Sequence, residues 1–377
     1  MEYFLRAYSH MIADEVRMHA FERALAQAVR PGSVVADIGA GTGAISLAAA
    51  RLGARKVYAI ERDDVIEVAR QIVGRNGLDE RISCIQAPSG EVELPEPADV
   101  IVSDLRGVLP LYDGHITAVV DARSRFLASG GVQIAARDRL CAALAESSEE
   151  YSKNISVWEQ DDFDLATARD LAVNSWWRVR FKGHELLSAP QTIGVIDYTT
   201  VTDPRFRGEA VFETRRTGTA HGVCVWSEME LAPEIGLSNA PGQPELIYGQ
   251  AFFPLSRPLP LMSGDTVSFK LDATLVDDEY AFSWTTSASP SKGTPAAFTQ
   301  STVLGAVITP RRLQSSRSDF TPSLGPRGQA ARRALELMDG GTTTGTIADT
   351  LVAENSELFP TRTDALRLVV EIVRCYG

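Results

Sequence analysis

A chain of 377 residues is long enough for two or three domains rather than one. Its content of 44% hydrophobic and 23% charged residues is that of a globular protein, and no stretch reaches the roughly 18 consecutive apolar residues of a membrane helix. A formal charge of −12 disfavours nucleic acid as the main partner.

The opening Met1-Glu2-Tyr3-Phe4-Leu5-Arg6 lacks the basic start and apolar core of a secretory signal, so a cytoplasmic location is expected. Cys84, Cys141, Cys224 and Cys375 are scattered, as are His10, His19, His184 and His221. Neither set has metal-ligand spacing, and reduced thiols with no metal are expected.

Residues 4–29 carry apolar side chains at helical spacing through Met11, Ile12, Val16, Phe21, Leu25 and Val29, ending at Pro31-Gly32. Strands and helices then alternate: strands over 34–38, 56–61, 82–86 and 98–103, helices over 44–52 and 65–75. Such alternation predicts a parallel sheet covered by helices. Beyond about residue 132 the texture changes to runs rich in Val, Thr, Tyr, Phe and Trp at 194–200, 208–214, 221–229, 246–253, 266–275 and 280–286, as an antiparallel barrel or sandwich requires. Residues 163–177 read as a helical insertion and 287–296 as a loop. Helical patterns return over 330–338, 346–354 and 363–375.

The segment Asp37-Ile38-Gly39-Ala40-Gly41-Thr42-Gly43-Ala44 sits between a strand and a helix. Its glycines allow a sharp turn that brings backbone N–H groups against a ligand. The next strand ends in Glu61, placed to accept from ribose hydroxyls. Gly39, Gly41 and Ala44 also satisfy the dinucleotide pattern, so a nicotinamide or flavin cofactor, or a plain tight turn, stays open. Asp37 favours S-adenosylmethionine, because a carboxylate repels a pyrophosphate and attracts an ammonium and a sulfonium.

Several segments together resemble the protein arginine methyltransferases. Met11-Ile12-Ala13-Asp14-Glu15-Val16-Arg17 is similar to the family's Met-Leu-x-Asp-x-x-Arg helix, and Ser89-Gly90-Glu91-Val92-Glu93-Leu94-Pro95 to its adenine-contacting segment. Ser103-Asp104-Leu105-Arg106-Gly107, running on to Asp113, resembles the double-glutamate loop with aspartates at the same spacing of nine. Ile196–Val201, Gly222–Trp226 and Ser238–Gln250 resemble barrel strands and the Thr-His-Trp loop. The resemblance covers roughly residues 3–286. It implies a Rossmann-like S-adenosylmethionine domain over 1–131, a β-barrel domain over 132–310 with a dimerisation arm at about 160–185, and a homodimer. It also implies that Arg17 binds the cofactor carboxylate and that Met11 lies by the sulfonium. Asp37, Gly39, Gly41, Gly43, Glu61 and Ser89 complete the implied cofactor site, and Asp104 and Asp113 are the implied catalytic pair.

This chain departs from the family pattern at three places. The N-terminal Tyr-Phe-x-x-Tyr helix is reduced to Tyr3-Phe4, the Thr-His-Trp triplet reads Leu246-Ile247-Tyr248, and His115 replaces a methionine. Paired carboxylates hold a planar guanidinium by bidentate bonds, which points to N-methylation of arginine or a guanidine-bearing compound or peptide. The shorter aspartates and His115, which reads as a histidine on a partly buried helix face or as a base near neutrality, keep open another N or O nucleophile of a peptide or natural product. A third reading is a non-catalytic binding protein on the same fold. Residues 325–377 have no counterpart in the typical family member and are expected to form a small helical domain, PqqD-like or winged-helix, or a plain appendage.

Overall fold

The computed structural model describes residues 5–160 and 162–377, so the expected remnant Tyr3-Phe4 lies outside the described residues. Two compact units divide the chain, Met1–Ala306 and Val307–Gly377.

The first unit opens with α1 (Leu5–Ala13) and α2 (Glu15–Ala28) where the sequence suggested one helix. The break falls at Asp14, whose side chain accepts the Arg17 N–H at 3.0 Å and caps α2. This cap fixes where Arg17 emerges from the first turn. Ala20, Phe21, Ala24 and Leu25, at helical spacing, are buried and give α2 its inner face.

The parallel sheet follows: β1 (Val34–Ile38), α3 (Ala44–Arg51), β2 (Lys56–Glu61), α4 (Ile66–Arg75), β3 (Ile82–Gln86), β4 (Ala98–Ser103), α5 (His115–Phe126) and β5 (Leu127–Ile134). The strand order is β3-β2-β1-β4-β5, with every neighbouring pair parallel. β1 and β2 are buried along almost their whole length, so their side chains run apolar without alternation. The order reverses between β1 and β4, which opens a crevice at the carboxyl ends of these strands.

The boundary expected at 131/132 falls inside β5, which pairs with β4 as far as Val102 and Ile134. Within the fold, Gly131 permits a close approach: a Cβ there would lie 3.0 Å from the Asp99 carbonyl oxygen of β4.

The remainder of the unit is antiparallel. In chain order it comprises β6 (Arg137–Ala145), α6 (Ser148–Asn154), α7 (Ala166–Ala172), β7 (Trp177–Val179), β8 (Gln191–Asp197), β9 (Phe206–Glu213), β10 (Gly218–Ala232), β11 (Ile235–Ser238), β12 (Gln250–Leu261), β13 (Thr266–Val276), β14 (Glu279–Ala288), β15 (Ala296–Ser301) and α8 (Thr302–Gly305). One sheet runs β7-β12-β10-β6-β8 with β11 beside β10, and the other runs β15-β14-β13-β9. Phe212, Phe253, Phe269 and Trp284 are fully buried, and the rings of Phe253 and Trp284 meet edge to face at 5.3 Å. Within the helical insertion expected over 163–177 lies α7, and the loop expected over 287–296 leads into β15, where Ser283–Ala288 pairs with Ala296–Ser301.

The second unit holds α9 (Pro310–Ser315), α10 (Pro326–Glu336), α11 (Thr344–Glu354) and α12 (Arg362–Tyr376). Thr343 and Thr361 cap α11 and α12 by accepting the N–H groups of Thr346 and Asp364. Ala330, Ala334, Ile347, Leu351, Phe359, Leu368, Val369 and Ile372 form this unit's own core. Among the described residues it has no strand, so a wing is absent and the expected small helical domain is a set of plain helices. No helix among the described residues is long and apolar enough to cross a membrane.

Candidate active site

The glycine loop leaves β1 at the switch point. Gly39, Gly41 and Gly43 have φ of 76°, 53° and 81°, a region that residues with a side chain rarely adopt. A Cβ on Gly41 would lie 2.7 Å from the Tyr8 ring, and one on Gly39 would collide with Leu105. The loop is thus lined from α1 on one side and from the segment after β4 on the other. Glu61, at the carboxyl end of β2, accepts the Gly41 N–H through Oε2 and the Asp63 N–H through Oε1, both at 3.0 Å.

Asp37 is buried near the end of β1, where its Oδ2 accepts the Ser46 hydroxyl at 2.6 Å. Burial pushes its carboxyl up to about 7, against the lowering effect of Ser46 and with a further push from Glu61. Segment 37–44 contains no lysine or arginine, so the loop itself offers a phosphate no cation. A diphosphate would be repelled there, whereas the ammonium of S-adenosylmethionine suits Asp37 and its ribose suits Glu61.

Ser89 lies in a short 3₁₀ turn, where its carbonyl accepts Arg125 Nη2 at 2.6 Å. Met11 is half-buried, and its carbonyl accepts Arg17 Nη1 at 3.2 Å.

A second cluster starts from Asp104, just after β4. The buried Arg17 guanidinium places both Nε and Nη2 2.6 Å from Asp104 Oδ2. Tyr248 Oη donates to the same carboxylate at 2.8 Å and accepts from Arg17 Nε at 3.2 Å. Arg106 approaches from the far side, its Nε 3.4 Å from Asp104 Oδ1 and its Nη1 3.2 Å from Asp138 Oδ1. Burial alone would raise the Asp104 carboxyl, but Arg17 and Arg106 hold it below its ordinary value. Asp104 is therefore a desolvated carboxylate that stays charged.

Behind Arg106 the network continues. Tyr198 Oη donates to Asp138, and His115 Nε2 lies 3.1 Å from the same hydroxyl. Since that hydroxyl's proton goes to Asp138, the network assigns the His115 proton to Nε2. The sequence offered His115 as a base near neutrality. The structure buries it, and burial with the nearby Arg106 cation pushes its pKa down to about 3. His115 is neutral at physiological pH and does not accept a proton there.

The sequence also paired Asp104 with Asp113. Asp113, at φ 47°, is partly exposed and pairs with Arg62 at 2.8 Å, outside the Arg17–Asp104 cluster. Arg17 and Asp104 do meet, although the resemblance had implied separate duties for them. Arg106, Asp138, Tyr198 and Tyr248 escaped the sequence reading as site residues. The one signal available was Arg106, a charged residue two places after Asp104 among apolar neighbours.

Residues 20–166 match the family described as ribosomal protein L11 methyltransferase, and residues 136–285 match the arginine methyltransferase oligomerization subdomain. The arginine N(omega)-methyltransferase of Streptomyces achromogenes subsp. streptozoticus is 30% identical over 269 residues, 69% of this chain and 74% of that protein. Protein arginine N-methyltransferase 2 of Mus musculus is 29% identical over 289 residues, 71% of this chain. The match spans 64% of the mouse protein's length. Among solved structures, the Trypanosoma brucei PRMT1 enzyme–prozyme heterotetrameric complex with AdoHcy has the same fold, with a TM-score of 0.72 at 21% identity over 78% of this chain and 96% of that one. Arabidopsis thaliana protein arginine methyltransferase 10 gives 0.70 at 22% identity over 79% and 97%. By its sequence relatives and by its fold, this chain belongs to the arginine N-methyltransferase family of S-adenosylmethionine-dependent methyltransferases.

Proposed function

We propose that this enzyme methylates a guanidinium nitrogen of arginine, or of a guanidine-bearing compound or peptide, and that Asp104 is the carboxylate that grips the acceptor. The observation that carries this reading is the Arg17–Asp104 pair: the site already holds one guanidinium by two nitrogens on one carboxylate, in a buried and charged setting. Such a grip draws positive charge toward the bonded nitrogens and leaves the remaining nitrogen the better nucleophile. S-adenosylmethionine, when bound, supplies the electrophilic methyl group. Asp37 takes its ammonium, Glu61 its ribose hydroxyls, and Arg17 its carboxylate through Nη1, the nitrogen not committed to Asp104. Gly39, Gly41, Gly43, Met11 and Ser89 complete the binding surface. Asp113 keeps its pair with Arg62 and takes no part in gripping the acceptor.

In this division of labour residues 1–131 bind the cofactor and 132–310 shape the acceptor side. The chain works as a homodimer joined through its helical insertion at about 160–185, where Phe163 remains exposed. That insertion lies within the segment that matches the oligomerization subdomain. A sedimentation mass of one chain at micromolar concentration would refute the dimer.

The test of acceptor class is transfer of labelled methyl from S-adenosylmethionine to free arginine, agmatine, arginine peptides, histidine peptides and acidic peptides. Label on the guanidine-bearing compounds alone is expected. Label on histidine or acidic peptides with none on arginine overturns the reading.

A further inference from the structure

Four buried groups behind Asp104 have no part in the reaction as described so far: Arg106, Asp138, Tyr198 and His115. Isolated buried charges are costly, so a buried arginine set between two carboxylates needs a reason. We infer that Arg106 is a positioning residue, a fixed cation that clamps Asp104 in the orientation and charge state needed to grip the acceptor. This inference rests on the reading that Asp104 holds the acceptor.

The geometry supports it from two directions. Asp104 is approached on Oδ2 by Arg17 and on Oδ1 by Arg106, and Tyr248 Oη reaches both oxygens. Arg17 comes from α2 near the cofactor loop and divides its nitrogens between Asp104 and the Met11 carbonyl. Arg106 Nη1 is tied to Asp138 on β6, and Asp138 is tied in turn to Tyr198, which His115 on α5 steadies. The clamp is thus anchored in two secondary elements and in the barrel.

Charge accounting explains why Asp138 is present. Arg106 with Asp138 sums to zero, as does Arg17 with Asp104, so the cluster offers a cationic acceptor a net negative charge once the cofactor carboxylate pairs with Arg17. A lone Arg106 would repel that acceptor. The groups facing Asp104 are Arg17 from α2, Tyr248 from the segment before β12 and Arg106 from its own loop, with Asp138, Tyr198 and His115 behind Arg106. Removing Arg106 leaves the buried Asp104 with one cation in place of two, and its pKa must rise.

The experiment uses the full chain labelled with ¹³C at the aspartate side-chain carboxyl, with the Asp104→Asn variant identifying the Asp104 resonance. In the wild type this resonance is expected to titrate below the usual carboxylate range. In Arg106→Met its midpoint should move up by about one pH unit or more, and Arg106→Lys should hold it near the wild-type position. The double variant Arg106→Met, Asp138→Asn removes both buried charges and guards against misfolding from an orphaned Asp138. It should show an upward movement in the same direction but smaller, because the neighbouring Asp138 anion is gone as well. On whichever acceptor the panel labels, Arg106→Met should lose about 100-fold in turnover, with affinity for S-adenosylhomocysteine within about threefold of wild type. A merely structural role would lower the folded fraction and leave the Asp104 midpoint in place. An unmoved midpoint in both Arg106→Met and the double variant overturns the inference. Failure of the acceptor reading would appear separately, as full wild-type turnover in Asp104→Asn or as label on a different acceptor class.

Discussion

Asp37→Asn should move stability and cofactor affinity in opposite directions. In the folded protein the Asp37 carboxyl is pushed up from 3.8 to about 7, chiefly by burial. The protonated form is therefore the one that the folded state prefers. Its contribution to stability is fully present below the unfolded value near pH 4 and is lost as pH rises through about 7. A displacement of about three pH units corresponds to about 4 kcal/mol of lost stability above pH 7. Asparagine is nearly isosteric, keeps an oxygen for the Ser46 hydroxyl and never ionises. The advantage of the variant in urea unfolding should be small near pH 4 and grow by about 3 kcal/mol between pH 5 and pH 8. Cofactor binding runs the other way, because the ammonium of S-adenosylhomocysteine favours the ionised form. Wild-type affinity measured by calorimetry should weaken about tenfold from pH 7 to pH 5.5, with a proton released on binding near neutrality. Asp37→Asn should bind weakly with little dependence on pH. A stability difference that stays constant from pH 5 to pH 8 would refute the claim that Asp37 is held protonated by its burial.

Three further perturbations test the neighbouring geometry. Tyr248→Phe removes a hydroxyl that contacts both Asp104 oxygens and Arg17, so it should cost about 1–3 kcal/mol in chemical unfolding and raise the acceptor KM; an unchanged KM would mean that Asp104 needs no help from the barrel side. Gly41→Ala places a methyl 2.7 Å from the Tyr8 ring at a φ of 53°, so α1 must shift and affinity for S-adenosylhomocysteine should fall about tenfold or more, whereas wild-type affinity would show that α1 is no wall of the cofactor site. His115→Ala should lower thermal stability through a cavity and the lost Tyr198 contact and leave the shape of the pH–rate profile between 6 and 8 unaltered; the loss of an ionisation near neutrality would restore the histidine as a base.

The fold was readable because its signals are periodic and local. Alternation of buried strands with helices predicted the parallel sheet, and the glycine loop marked the switch point. Where the reading slipped, a tertiary contact overrode a local cue. Asp14 reads as one more helical residue, yet its side chain folds back as a cap and divides the helix. Asp104 was legible from its place after a buried strand, while Asp138 and Tyr198, 34 and 94 positions further on, come to it only through strand pairing of β6 with β8. Spacing along the chain also cannot report that Asp113 turns toward Arg62, since that choice is made by a backbone at φ 47°.

Leu246-Ile247-Tyr248 lacks the histidine of the Thr-His-Trp triplet, and at this position the structure uses the backbone. The Ile247 N–H donates to Asp14 Oδ2 at 2.8 Å, while Asp14 Oδ1 accepts the Arg17 N–H at 3.0 Å. One carboxylate thus joins the barrel segment before β12 to the first turn of α2. A backbone donor carries no side-chain requirement, so position 247 is free to be apolar provided the loop path is kept. The next residue, Tyr248, then reaches Asp104 and Arg17 from the same loop. Two hydrogen-bonded links, one residue apart, register the barrel against the cofactor helix. Ile247→Ala should therefore leave the Asp14 link intact, whereas Ile247→Pro deletes the donating N–H and should weaken both cofactor binding and turnover. Equal activity of the alanine and proline variants, measured with S-adenosylhomocysteine binding alongside, would show that the barrel and α2 are held in register by something else.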